Sequence, residues 1–152
     1  MKVITAPSTI ELDENPSVFL AGSIEMNVAE RWQDKVIKTL SNEPVTLLNP
    51  RRASWDASWK QSVENPVFKE QVNWELEALE IVDMIIMYFD QNTKSPITLL
   101  ELGLYAKSRK LIVCCPDGFW RKGNVDVVCE RYCVQQVNSL EELINEVKRK
   151  LK

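Results

Sequence analysis

Hydrophobic and polar positions along this chain switch repeatedly between a strand-like and a helix-like period, and the switches mark its elements. Ser17–Ala21 (S-V-F-L-A) is a short apolar run closed by Gly22-Ser23, which predicts a buried strand. Ala29–Leu40 repeats at helical spacing, with Trp32, Val36, Ile37 and Leu40 on one face. Val45–Leu48 predicts a second strand, ended by Asn49-Pro50, and a long polar and aromatic stretch runs from Arg51 to Pro66. Phe68–Val82 is helical, with Phe68, Val72, Leu76 and Leu79 as its expected buried stripe. Met84–Phe89 (M-I-I-M-Y-F) is apolar throughout, as a central strand covered on both faces would be. Ile97–Lys107 predicts a buried helix, with Ile97, Leu100, Glu101 and Leu104 sharing one stripe. Leu111–Cys115 and Tyr132–Val137 predict two more strands. Ser139 followed by Glu142 predicts a capping box for a closing helix that runs to Leu151.

Strands alternating with helices predict an α/β fold: a doubly wound, flavodoxin- or Rossmann-like sheet of about five mostly parallel strands with helices on both faces. The 152 residues read as one domain, and residues 1–16 are a candidate edge strand or extension. In such a sheet ligands bind beyond the carboxyl ends of the strands. The segments to inspect are therefore Gly22–Asn27, Asn49–Pro66, Asp90–Pro96 and Pro116–Asn124.

Composition narrows the chemistry. A net charge of −3 gives no footprint for a nucleic acid polymer or an anionic membrane. No run reaches the roughly 20 apolar residues of a membrane span, and the first residues lack the apolar core of a signal peptide, so a cytoplasmic location is expected. There is no histidine, which removes Ser-His and Cys-His nucleophiles and the histidine general base. Cys114, Cys115, Cys129 and Cys133 have no metal-site spacing and are expected to be buried reduced thiols, with no metal and no cofactor. Carboxylates are left to do the chemistry.

Two glutamates break the apolar pattern. Glu101 sits in I-T-L-L-E-L-G-L-Y-A, where desolvating a carboxylate is costly unless it is paired. It is either tied to backbone amides or an arginine, or aimed into a cleft as a reactive group. Glu75 fills a slot in the expected stripe of its own helix, whereas Glu77 and Glu80 read as solvated. Two such carboxyl groups flanking a central strand suit glycosidic cleavage, one attacking the anomeric carbon and the other handling a proton. Gly22 lets backbone approach a ligand and Ser23 supplies a hydroxyl. Arg51 and Arg52 with Trp55 and Trp59 either grip a phosphate and stack a base or form a local core of the loop.

With these residues in place, the chain resembles the nucleoside 2-deoxyribosyltransferase family and the related deoxynucleoside 5′-monophosphate N-glycosidases. The resemblance runs from about Val18 to Val137. It is carried by F-L-A-G-S-I at Phe19–Ile24, W-E-L-E-A-L-E-I-V-D at Trp74–Asp83, S-P-I-T-L-L-E-L-G at Ser95–Gly103 and G-N-V at Gly123–Val125. It implies Glu101 as nucleophile and Glu75 as the acidic residue at the base or sugar, where the family usually has aspartate. It implies Asn124 as a substrate contact often supplied by a neighbouring subunit, within a homo-oligomer. Ser95 stands where the transferases carry aspartate and the glycosidases a phosphate-facing serine. Ser23, Ser95, Arg51 and Arg52, with the start of the helix at Pro96, then favour a 5′-monophosphate over a nucleoside. The expected reaction is cleavage and transfer of the N-glycosidic bond through a glycosyl-Glu101 intermediate. The alternatives are hydrolysis at the same site and a non-catalytic nucleotide-binding or assembly module.

Overall fold

The computed structural model describes residues 1–25 and 29–152; Met26 and Asn27, the end of the first segment marked for inspection, lie outside the described residues. Its core is one sheet of six parallel strands in the order β1-β3-β2-β4-β5-β6. The strands are β1 (Lys2–Thr5), β2 (Ser17–Gly22), β3 (Thr46–Asn49), β4 (Met84–Tyr88), β5 (Leu111–Cys114) and β6 (Gln135–Val137). The ambiguous N-terminal segment supplies β1, an edge strand that pairs with β3 from Lys2↔Thr46 to Thr5↔Asn49. β6 is shorter than expected, because Tyr132 still belongs to the end of the helix before it.

Five helices cover the sheet: α1 (Trp32–Thr39), α2 (Pro66–Ile81), α3 (Pro96–Tyr105), α4 (Lys122–Arg131) and α5 (Leu140–Lys150). The pleat sorts the two cores. Phe19, Ala21, Ile85, Met87 and Phe89 pack under α2, α3 and α4, whereas Val18, Leu20, Met84 and Ile86 pack under α1 and α5. Ser139 caps α5 by accepting from the Glu142 N–H at 3.1 Å, and Glu142 reaches back to the Asn138 N–H at 2.8 Å. Asn65 caps α2, with Pro66 as its first residue.

Three expectations need correction. The buried side of α2 is Gln71, Trp74, Ala78 and Leu79, not the Phe68–Val72–Leu76 stripe, whose members are half-buried. On α3 the buried side is Thr98, Glu101 and Leu102, while Ile97, Leu100 and Leu104 are 58%, 59% and 56% exposed. A helix apolar on every side has no periodic signal to tell its inner face from its outer one. Cys114, Cys115 and Cys129 are buried, but Cys133 is exposed, because it lies in the turn after α4 rather than in a strand.

The strand order reverses between the parallel neighbours β2 and β4, since β3 lies on one side of β2 and β5 lies beyond β4. Crevices form at such a switch point. Here the two strand ends touch closely. A Cβ on Gly22 would lie 2.3 Å from the Tyr88 carbonyl oxygen and 2.9 Å from the Trp32 ring, and the Gly22 φ of +145° suits glycine alone. Gly22→Ala is therefore expected to cost about 3 kcal/mol and to lower Tm by roughly 10 °C. Gly103→Ala, in open space on α3, should be neutral or stabilise by up to about 1 kcal/mol. Thermal unfolding of both variants checks the pair; equal tolerance would mean that β2 and β4 do not meet this closely.

Candidate active site

Ser23, the first residue beyond β2, ties the switch point together. Its N–H donates to the Tyr88 carbonyl at 3.0 Å, and its own carbonyl accepts the Trp32 indole N–H at 3.1 Å. Its Oγ accepts the Asp90 N–H at 2.9 Å and lies 2.6 Å from Ser95 Oγ and 3.0 Å from Thr93 Oγ1. Thr93 Oγ1 and Ser95 Oγ are 2.7 Å apart, closing a buried triangle of hydroxyls. Ser95 holds a left-handed backbone (φ 46°, ψ 53°), a strained state for serine, and α3 starts directly after it. The Ser95 hydroxyl is committed to the triangle and does not cap α3. That role falls to Glu25, whose Oε1 accepts the Ser95 N–H at 2.6 Å and the Lys94 N–H at 3.0 Å.

Two turns into α3, Glu101 is 7% exposed and makes no hydrogen bond or ion pair among the described residues. Burial, together with the nearby charge of Glu75, pushes its carboxyl up to about 8. Glu75, on α2, is also raised by burial, partly offset by a 2.7 Å hydrogen bond from Gln71 Nε2. Among the described residues no arginine forms an ion pair with either carboxyl group.

The remaining expected site residues are placed as follows. Arg51 donates to Gln33 at 3.3 Å, and Arg52 lies 3.9 Å from Glu70 and over the Trp59 ring. Trp55 stands edge-on to Trp59 at 5.0 Å, a local aromatic pair of the loop. Asn124 is exposed in the first turn of α4. The Trp120 indole donates to the carbonyl of Lys94 at 2.8 Å, so the segment before α4 lies against the approach to α3 of its own chain. Thus Ser23 and Ser95 come together, as do Glu75 and Glu101; Ser23, Ser95 and Arg51 already have internal hydrogen-bond partners, whereas the buried Arg52 Nη1 has none among the described residues. Gln71, Glu25 and Thr93 were missed, because a single polar residue in a helix or loop has no pattern to betray it. A cavity of about 510 Å³ also opens at this end of the sheet, lined by Glu30, Tyr88, Asp90 and Asn92 among others. Glu101 is not part of that lining: Tyr88 packs with Trp32 on the α1 side, whereas α3 packs on the other face. No group of three or more metal-ligating side chains occurs among the described residues, and no described helix is long and apolar enough to cross a membrane.

The fold is thus a parallel α/β sheet whose helices α2 and α3 bring a half-buried and a buried carboxyl group, Glu75 and Glu101, close to each other. The chain belongs to the nucleoside 2-deoxyribosyltransferase-like family, whose model matches residues 15–119 and so spans β2 to the loop after β5. Among solved structures it is similar to a conserved protein from Enterococcus faecalis V583, at 15% identity and a TM-score of 0.62, covering 90% of this chain and 99% of that one. That likeness is one of fold. Among curated proteins none matches.

The carboxyl at 101 leaves a signature in stability. Its value rises from 4.5 unfolded to about 8 folded, so the folded protein binds the extra proton between these limits, and stability falls as pH rises through that window. Glu101→Gln removes the penalty. At about 1.4 kcal/mol per unit, the variant should gain roughly 3 kcal/mol over wild type at pH 7 and almost nothing at pH 4. Urea unfolding at the two pH values tests this, and a gain independent of pH would mean that the Glu101 carboxyl is not desolvated.

Proposed function

We propose that this protein cleaves and transfers the N-glycosidic bond of a nucleoside, with Glu101 as nucleophile and Glu75 as proton carrier. The observation that carries the reading is the buried Glu101 carboxyl, held without a cation or hydrogen bond among the described residues and coupled to Glu75. Ordinary structural glutamates are paired; an unpaired one costs stability that only a function offsets. The family supplies the substrate class.

In the first step a Glu101 oxygen bonds to C1′ while the C1′–N bond breaks. The bonding electrons leave with the base, whose nitrogen takes the proton from Glu75. The product is a glycosyl ester on Glu101 and a neutral base. In the second step the nitrogen of another base attacks C1′, Glu75 recovers a proton, and the ester bond breaks to restore the carboxylate. Two displacements retain the configuration.

The nucleoside is preferred here over its 5′-monophosphate, against the leaning of the sequence. Ser23 and Ser95 bond to each other, Arg51 bonds to Gln33, and Glu25 already sets a carboxylate at the start of α3. A phosphate dianion there would meet that carboxylate.

Two measurements test this reading. Release of free base from a panel of deoxynucleosides and monophosphates, with and without an acceptor base, should show transfer and a higher kcat/KM for nucleosides. Glu101→Gln should lower the rate more than about a thousandfold, roughly 4 kcal/mol in the barrier, with its fold intact. A variant that keeps most of the activity would remove Glu101 from the chemistry, and base release unaffected by the acceptor would make the enzyme a hydrolase.

The exposed apolar side of α3 supports the expected homo-oligomer, since Ile97, Leu100 and Leu104 form a patch that association would bury. Leu100→Lys should shift the wild-type oligomer toward monomer by light scattering. A wild type that is already monomeric and fully active would refute it.

A further inference from the structure

Gln71 lies one turn before Glu75 on α2 and is 6% exposed. Its carboxamide is satisfied on one side alone. Nε2 donates to the Pro50 carbonyl at 2.9 Å and to Glu75 Oε1 at 2.7 Å, which uses both N–H groups. Oε1 is buried with no partner among the described residues. Turning the amide over would face Oε1 toward a carbonyl and a carboxyl group, both acceptors, so the partners fix its orientation. An unpaired buried acceptor is unfavourable, and methionine would fill the same space without one. The polar side chain earns its place through what its two N–H groups hold.

We propose that Gln71 is the positioning residue of Glu75, a strut from the loop after β3 that fixes one carboxyl oxygen. The proposal rests on the reading of Glu75 and Glu101 as the reacting pair. Pro50 follows β3 directly, so the strut ties Glu75 to the sheet and not merely to its own helix. With Oε1 taken, Glu75 has Oε2 to offer a ligand. The Gln71 N–H favours the Glu75 carboxylate, the form that recovers a proton in the second step. The groups facing Glu75 are Gln71 from its own helix and Glu101 from α3; on the loop after β3, Arg51 is turned to Gln33 and Arg52 toward Glu70. Without the donor, Glu75 keeps its proton to higher pH, and Glu101, beside a neutral neighbour, loses its own at lower pH.

The test is Gln71→Met, which preserves length and removes both donors. Carbon-13 NMR titration of the Glu75 and Glu101 carboxyl groups in the unliganded protein reads the effect without any turnover. The Glu75 midpoint should rise by about one pH unit, the scale of a hydrogen bond to a charged group, while that of Glu101 falls. In a Glu75→Gln background, Gln71→Met should leave the Glu101 midpoint unchanged. Should Gln71→Met not fold, Gln71→Asn, too short to span both partners, should give the same shifts. A folded variant in which Glu75 titrates as in wild type overturns the proposal. Shifted midpoints in a protein that turns over no nucleoside would sink the catalytic reading and leave the strut standing.

Discussion

Ser23 uses each of its polar atoms to join parts of the chain that are far apart in sequence. Its backbone N–H and carbonyl bind the end of β4 and the indole of α1, and its hydroxyl binds Asp90, Thr93 and Ser95. These bonds are buried, so breaking one leaves an unpaired group in a dry interior. Together with the close approach of Gly22 to Tyr88, they set where α3 starts and in which direction it runs. Because Glu101 lies two turns along that helix, its position is fixed by a residue that need not touch a ligand. A catalytic group on a helix held in this way loses little entropy when it reacts.

The pair of glutamates works against the stability of the fold. Both carboxyl groups are raised by burial, and the charge of Glu75 raises Glu101 further. Among the described residues no arginine pairs with either; Arg51 on the loop after β3 donates to Gln33, and Arg52 lies 3.9 Å from Glu70. A cation beside Glu101 would stabilise the fold and lower the carboxyl toward its ordinary value. The absence of such a cation among the described residues, more than the presence of the glutamates, separates this site from a structural ion pair.

How much was legible depended on whether a residue stood out from a pattern. Glu101 was visible because a charge in an apolar run is conspicuous, and its burial follows that signal. Its neighbours Ile97, Leu100 and Leu104 were assigned to the wrong face, because every position of α3 except Glu101 is apolar or small and uncharged. Gln71 was invisible, since one glutamine on a mixed helix reads as surface. Ser95 was noticed, but its expected partner was a ligand. The hydroxyls of Ser23 and Thr93 fill that place, from residues 72 and 2 positions away.

The sequence by itself determined the alternation of strands and helices, the central place of Met84–Phe89, the capping of the last helix and the absence of histidine chemistry. These are local or compositional properties, set by periodicity and by which side chains exist. The tertiary structure alone decided that β1 joins the sheet edge beside β3, that α3 turns its glutamate inward and its leucines outward, and that Glu25 fills the start of that helix. Each of these depends on which surfaces meet. Contacts between residues tens of positions apart are chosen by packing and hydrogen-bond satisfaction over the whole molecule, and no short window of sequence contains that information.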